Sequence, residues 1–406
     1  MSLQAAVEVN HKPPQDLSPA IGPCEVSVVM PCLNEADTLG ICIQKAQRAL
    51  REQKIPGEVI VADNGSTDNS PAIAAALGAR VVHVAAKGYG NALMGGIAAA
   101  RSKFIVMGDS DDSYDFQEVP KFVERLREGA DLVQGCRLPS GGGKVMPGAM
   151  PFLHRWLGNP VLSLLVRRMF WVPIHDVYCG LRAFTKDLYN RLDLRCTGME
   201  FATEMIIKSR IRGAKIAEVP ITLHPDGRRC HPPHLKTFRD GWRTLRFFLL
   251  YSPRWLFVYP GILLVLLGAL GYSVAMPGLR VASVTFDAHT LLFSSLAMLL
   301  GYQSALFGVF AKNLAIAEGL LPEDQRVARL FRAVTLEKGL VLGLGAVLVG
   351  AALLLGAVNL WRLANFGALD YPRTMRWVIP GVTLTALGFQ TLLASFFASL
   401  FGMRRR

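Results

Sequence analysis

Beyond residue 254 the chain carries four long apolar stretches, at about 255–276, 289–311, 339–358 and 377–402. Each is long enough to cross ~30 Å of hydrocarbon as a helix. Few ionisable side chains interrupt them, which argues against an ion or proton pathway. The joining segment 312–338 carries Lys312, Arg326, Arg329, Arg332 and Lys338, and the tail ends in Arg404, Arg405 and Arg406. By contrast, 277–288 has only Arg280, while 359–376 has Arg362, Arg373 and Arg376. Positive charge gathers on the cytoplasmic side of short connections. Both ends of the chain are therefore expected in the cytoplasm, after an even number of crossings.

Composition agrees with a membrane protein. The chain is 51% hydrophobic yet carries a formal net charge of +13. Its mean hydropathy of +0.31 is high for a soluble protein. The first 24 residues contain Pro13, Pro14 and Pro23 and no long apolar core, which predicts a disordered tail rather than a signal peptide. All seven cysteines precede residue 231, an odd number without paired metal spacing. They read as reduced cytosolic thiols, mostly packing.

Between residues 26 and 107 four apolar runs alternate with helical stretches, at 26–30, 58–62, 80–84 and Phe104–Met107. Spacings of roughly 20 to 30 residues suit βαβ units and a mostly parallel sheet. Polar residues cluster at the ends of three of these runs. They are Pro31-Cys32-Leu33-Asn34-Glu35, Asp63-Asn64-Gly65-Ser66-Thr67-Asp68 and Asp109-Ser110-Asp111-Asp112. Ligands of open α/β sheets bind at the carboxyl ends of strands, so three such loops make one crevice. An Asp-x-Asp turn places two hard oxygen ligands beside one divalent cation that also holds phosphate oxygens. Each loop has a plainer reading as well, which for the Asp-x-Asp is an acidic surface turn. Asn34 suits the cap of a helix near Ala36, Asp68 or Asn69 that of the helix containing Pro71, and Asp63-Asn64-Gly65 an ordinary turn. Lys87-Gly88-Tyr89-Gly90-Asn91 precedes a small-residue helix and suits a phosphate. Asp115, with Glu118 three residues on and Pro120 following, reads as a helix cap.

These motifs occur in the order seen in family 2 glycosyltransferases, which the chain resembles over about residues 25–250. Further on, Gly135-Cys136-Arg137, Asp176-Val177-Tyr178-Cys179-Gly180-Leu181-Arg182-Ala183-Phe184 and Glu218-Val219-Pro220-Ile221 resemble the polyprenyl-phosphate branch, which includes dolichyl-phosphate mannose and glucose synthases. The resemblance implies a GT-A domain, Rossmann-like with a mostly parallel sheet, that binds a nucleotide-sugar with Mg²⁺ or Mn²⁺. It implies that Asp63 contacts the base or ribose, Asp109 the nucleotide, and Asp111 the metal, with Asp109 beside it. Pro31, Asn34, Glu35, Gly65 and Lys87 complete the expected nucleotide-sugar site. Dolichyl-phosphate mannose synthases often carry Leu-Gln after the Asp-x-Asp; here Asp112-Ser113-Tyr114 stands instead, so neither a third ligand nor mannose carries over.

The segment 152–170 mixes apolar residues with Arg155, Arg167 and Arg168 and suits a helix lying on a membrane surface. Its alternative is a soluble amphipathic helix. Glu200 and Glu204 share a helix face, as a carboxylate pair or as parts of salt bridges. His224, His231 and His234 have poor spacing for zinc and, with Arg228, Arg229 and Lys236, read as a basic loop near phosphates. Residues 234–251 form a basic amphipathic helix leading into the first span. The expected organisation is a tail (1–24), a cytosolic GT-A domain (25–233), an interfacial helix (234–254) and an all-α four-helix transmembrane region (255–406).

The favoured reaction moves a sugar from a nucleotide diphosphate to a polyprenyl (dolichyl or undecaprenyl) phosphate. Such an acceptor is already an anion, so its oxygen needs no strong general base. The departing diphosphate needs a metal, and two anions need guanidinium groups to bring them together. Arg137, Arg155 and Arg182 are the candidates. The expected partners are this donor, this acceptor and membrane lipids, with no nucleic acid, in a bacterial plasma membrane with the catalytic domain in the cytoplasm. A processive polysaccharide synthase is an alternative, but its Gln-x-x-Arg-Trp motif finds Phe152 three before Arg155-Trp156. A nucleotide-sensing membrane scaffold is another; turnover of a nucleotide-sugar separates it from an enzyme.

Overall fold

The computed structural model describes residues 24–228, 237–281, 284–318 and 335–403, with the single positions 321, 325 and 329. They divide into two compact units. The first comprises Met1–Met150, Cys179–Asp193 and Ala217–Pro232; the second comprises Pro151–Tyr178, Leu194–Ile216 and Pro233–Arg406.

The strands before residue 224 are β1 (Val26–Cys32), β2 (Gly57–Asp63), β3 (Arg80–His83), β4 (Phe104–Met107), β5 (Leu132–Cys136), β6 (Lys144–Val145), β7 (Arg182–Thr185), β8 (Ile216–Pro220) and β9 (Thr222–Leu223). Seven make one sheet in the order β3-β2-β1-β4-β7-β5-β8, while β6 and β9 pair separately. Strands β3, β2, β1 and β4 run parallel, and β7 lies antiparallel between β4 and β5. The register sets Cys32 beside Asp63 and Asp63 beside His83, so these strand ends finish on one line. All four residues of β4 are buried, as expected of an apolar run covered on both faces.

The first unit opens with the helices α1 (Leu39–Glu52), α2 (Ser70–Ala76), α3 (Tyr89–Ala99) and α4 (Val119–Arg127). Leu39, Cys42, Ile43, Ala46 and Leu50 recur at helical spacing along α1 and bury one face against the core. Val119, Phe122, Val123 and Leu126 of α4 join the same cluster. Burial of a side chain such as Phe122 contributes about 1.5–3 kcal/mol. Helix α3 approaches the sheet closely because Gly96 has no Cβ; one there would lie 2.5 Å from Val29 Cγ1. Its amino end lies beside the turn after β2, where Gly88 N donates to the Asn64 carboxamide oxygen. Asp115 is a cap, as expected, and its carboxylate accepts from the Gln117 N–H.

The second unit holds α5 (Asn159–Phe170) and α7 (Phe201–Ile211), while α6 (Lys186–Leu192), between them in sequence, belongs to the first. Then follow α8 (Thr237–Tyr251), α9 (Tyr259–Ala275), α10 (Ala288–Ala317), α11 (Leu336–Leu363) and α12 (Tyr371–Met403). Among the described residues four helices are long and apolar enough to cross a membrane, at Arg254–Ala275, Ala288–Ala317, Leu336–Leu363 and Tyr371–Leu400. They extend the expected spans at most ends, because helical backbone continues past the apolar run. Two tight antiparallel pairs result. Gly261 meets Gly301 between α9 and α10, and Gly343 meets Gly388 between α11 and α12, each where a Cβ would strike the facing carbonyl oxygen. Small residues allow such close packing of membrane helices. Hydroxyl bonds from Tyr272 to Ser295 and Thr383, and from Tyr302 to Thr391, tie helices of both pairs together.

Leading into α5, a wider turn at His154–Gly158 leaves Trp156 and Leu157 exposed, after an equally exposed Phe152. Phe170 at the other end packs edge-on against Phe248 of α8. Trp171 closes α5 in the left-handed region at φ 57°. Helix α7 is buried nearly all round. Its Glu204 pairs with Lys208 at 2.8 Å and accepts from the Arg195 and Cys196 N–H groups, which makes it a salt-bridged cap for that loop.

Candidate active site

Three turns leave the carboxyl ends of β1, β2 and β4, and side chains stitch them together. After β1, Pro31 accepts the Ser110 hydroxyl at 2.7 Å, and the Thr38 hydroxyl donates to the Ser110 carbonyl at 2.7 Å. Asn34 sits at φ 61°. Its carboxamide oxygen accepts from Thr67 N at 2.8 Å instead of capping the following helix, which begins only at Leu39. Glu35 is 5% exposed beside it.

After β2, Asp63 organises its own turn. Oδ1 accepts from Ser66 N at 3.0 Å, and Oδ2 from Gly65 N at 3.3 Å with His83 Nδ1 at 3.1 Å. Burial would raise this carboxyl, but the bonds from Ser66, His83 and Gly65 outweigh it and hold the group below its usual range. Asp68 accepts from both Ser70 N and Ala36 N, joining the first two turns. Sequence reasoning passed over Asn64. Its buried carboxamide donates to Val84 O and Ala86 O and accepts from Gly88 N, which clamps the loop carrying Lys87. Lys87 Nζ in turn donates to Asn64 O at 2.7 Å.

After β4 the three carboxylates separate. Asp112, at φ 61°, turns toward α1 and pairs with Lys45 at 2.8 Å. Asp109 and Asp111 stay together in the crevice. Tyr89 donates its hydroxyl to Asp109 Oδ1 at 2.9 Å. Ser113 donates both its N–H and its hydroxyl to Asp111 Oδ1, at 3.1 and 2.5 Å, which leaves Oδ2 to face Arg228. Burial first, and the Asp111 charge second, push Asp109 up to about 6. Gly180 explains part of its own motif: a Cβ there would lie 2.5 Å from Asp109 Oδ2 and 3.0 Å from Tyr114.

Guanidinium groups surround this pair. Arg137, just past β5, is 7% exposed and donates to the Tyr114 hydroxyl at 3.4 Å. That hydroxyl also accepts from Gly180 N at 2.8 Å. Arg182 opens β7 and is fully buried, with Nη2 donating to Cys179 O at 2.8 Å; burial lowers its pKa. Its buried charge interacts with Asp109 and with the Tyr89 and Tyr114 side chains. Arg228 is the residue that sequence reasoning left as part of a basic loop. Its guanidinium grips both Glu35 oxygens at 2.8–3.0 Å and reaches Asp111 Oδ2 at 3.1 Å. The chain before it is laid along the acidic turn, with His224 N bonded to Ser113 O and Gly227 N to Asp111 O. Arg155 belongs to the second unit, where its guanidinium lies 5.4 Å from the Trp156 ring centroid. His231, His234, Arg229 and Lys236 fall outside the described residues, and among those described no cluster of three His, Cys, Asp or Glu suits a metal.

The glycosyltransferase family 2 model matches residues 27–192, and that of the family 2 C-terminal transmembrane region matches 309–402. The low-salt glycan biosynthesis hexosyltransferase Agl6 of Haloferax volcanii is 36% identical over 403 residues, covering 98% of this chain and 95% of that one. The chain belongs to glycosyltransferase family 2. A dolichyl-phosphate hexose transferase of the same organism is 32% identical over 218 residues, 53% of this chain and 89% of its own length. Glucosyl-3-phosphoglycerate synthase of Mycobacterium tuberculosis, crystallised with Mn²⁺ and uridine diphosphate, aligns at 25% identity and a TM-score of 0.43, over 55% of this chain and 78% of that one. This family 2 enzyme is thus a membrane glycosyltransferase, with the expected GT-A-type α/β domain and four membrane-spanning helices.

Proposed function

We propose that this glycosyltransferase moves a hexose from a nucleotide diphosphate-sugar to a polyprenyl phosphate, with inversion and with Mg²⁺ or Mn²⁺ at Asp109 and Asp111. The observation that carries the reading is the grouping of two neighbouring carboxylates, just past the parallel strand β4, with Arg137, Arg182 and Arg228. The donor set fits such a cation. Carboxylate oxygens are hard ligands, and the Tyr89 hydroxyl bonds to Oδ1 of Asp109, not to Oδ2. When bound, the cation supplies Lewis-acid stabilisation for the departing diphosphate.

The chain's own residues do the rest. An acceptor phosphate oxygen forms the new bond to the anomeric carbon while the bond from that carbon to the diphosphate oxygen breaks, and the diphosphate leaves with the electron pair. No proton moves, so no general base is required. Arg137 and Arg228 hold anions with permanent charge in planar forks, and Tyr89 and Ser113 keep the two carboxylates in place. The name of the dolichyl-phosphate hexose transferase supports a polyprenyl-phosphate acceptor. So do the exposed apolar and basic side chains around α5, which suit the boundary where such a lipid's head group leaves the bilayer.

The test offers matched polyprenyl alcohol, polyprenyl monophosphate and diacylglycerol with one competent sugar donor. Only the monophosphate is expected to be glycosylated. Efficient use of the alcohol or of diacylglycerol, with the monophosphate unused, would remove this acceptor while the glycosyltransferase stands.

The same reading puts the catalytic domain in the cytoplasm of a plasma-membrane enzyme. Basic residues of 312–338 and the terminal arginines support that orientation. A reporter fused after Arg406 is expected to read cytoplasmic. An extracytoplasmic signal there would contradict the orientation.

A further inference from the structure

We propose that His83 is a specificity-determining residue that forms the side wall of the nucleoside subsite and reads the base. The inference rests on the nucleotide-sugar reading above. Strand β3 is the edge of the sheet, and the parallel register places His83 directly beside Asp63 at the strand ends. Asp63 is nearly closed off, with its side chain 5% exposed, whereas the His83 side chain is 72% exposed. The ring is nevertheless fixed, because Nδ1 lies 3.1 Å from Asp63 Oδ2.

A carboxylate accepts and does not donate, so Nδ1 carries the proton in this bond. The tautomer thus set leaves Nε2, on the outer side of the ring, to meet a ligand. Asp63 spends most of its own capacity on its turn, since Ser66 N, Gly65 N and His83 all bond to it. It has little left for a base. An exposed ring locked to it, with a polar tip and a flat face, is better placed to distinguish one base from another.

Distance along the sheet edge agrees. Neighbouring strands lie about 4.8 Å apart, so β2 ends about 10 Å and β3 about 14 Å from the β4 turn that carries Asp109 and Asp111. A nucleoside diphosphate is built in that order, phosphates first, then ribose, then base. With its phosphates at the β4 turn, its ribose and base run out toward Asp63 and His83. Among the described residues, no strand of the sheet lies beyond β3 to wall the subsite.

The experiment measures binding of uridine, guanosine, adenosine and cytidine diphosphates to the full-length detergent-solubilised protein by calorimetry with Mg²⁺ present. It compares the wild type with His83→Ala, His83→Asn and Asp63→Ala, and follows donor KM and kcat for the preferred sugar donor. Asn keeps an amide N–H where Nδ1 stands but lacks the outer half of the ring. We expect both His83 variants to bind the preferred diphosphate about tenfold more weakly and to hold the others nearly unchanged, so that the preference collapses. Donor KM is expected to rise more than kcat falls. Wild-type preference in His83→Ala, or full recovery in His83→Asn, would reduce His83 to a prop for Asp63 and overturn the proposal. Loss of binding in Asp63→Ala beside an unchanged His83→Ala leaves the nucleotide-sugar reading standing. Failure of the wild type to bind any of the four overturns both.

Discussion

Asp111→Asn is expected to lower sugar transfer by about three orders of magnitude, roughly 4 kcal/mol of transition-state stabilisation, while the fold persists. The two side chains have the same shape, so the packing of the β4 turn survives. Ser113 still finds an oxygen at the position of Oδ1. What changes is Oδ2. In the wild type it carries the charge that pairs with the Arg228 guanidinium at 3.1 Å and that a bound cation would share. In the variant an amide N–H₂ group stands there, a donor facing a donor, with no charge to hold a divalent ion. Transfer rate, thermal unfolding and divalent-ion dependence measured together separate these effects. An active Asn variant, or wild-type activity that survives complete chelation, would refute the metal role of Asp111.

The sheet was largely legible because its strands are covered on both faces. Continuous apolar runs such as Phe104–Met107 are the form such strands take, and the four expected runs match β1 to β4 to within a few residues at their ends. The membrane helices were legible for the same reason, since hydrocarbon demands unbroken apolar length. The site was less so. Asp109, Asp111 and Asp112 are chemically alike, and only backbone conformation separates them; φ 61° at Asp112 sends that carboxylate to Lys45. Asn34 suited a helix cap by its spacing, yet a turn-to-turn bond from Thr67 won, because the helix starts later than its sequence suggested. Arg182 looked like a phosphate ligand from its motif, and nothing local in sequence reports that its guanidinium is fully buried. The contact that most shapes the crevice, Arg228 on Glu35, joins residues 193 positions apart and leaves no periodic trace.

Arg228→Ala is expected to lower transfer by at least a hundredfold, and Arg228→Lys to recover little of it. The guanidinium satisfies two buried carboxylates at once, with a two-pronged grip on Glu35 and a third contact to Asp111. A lysine ammonium is a point charge without that fork. Removing the arginine leaves Glu35 buried and unpaired, a change that costs about 3–5 kcal/mol when one partner of a buried pair is lost. Lost activity alone would therefore not distinguish a structural role from the holding of substrate anions. The double variant Glu35→Gln/Arg228→Ala does. With Glu35 neutralised, the buried charge no longer needs a partner, and thermal stability is expected to return toward that of Glu35→Gln alone. Activity is not expected to return with it, because the positive charge beside Asp111 that is proposed to meet the diphosphate and the acceptor phosphate is still missing. Measured as a double-mutant cycle, recovery of stability without recovery of transfer assigns Arg228 to the substrate anions. Recovery of both would confine it to neutralising Glu35.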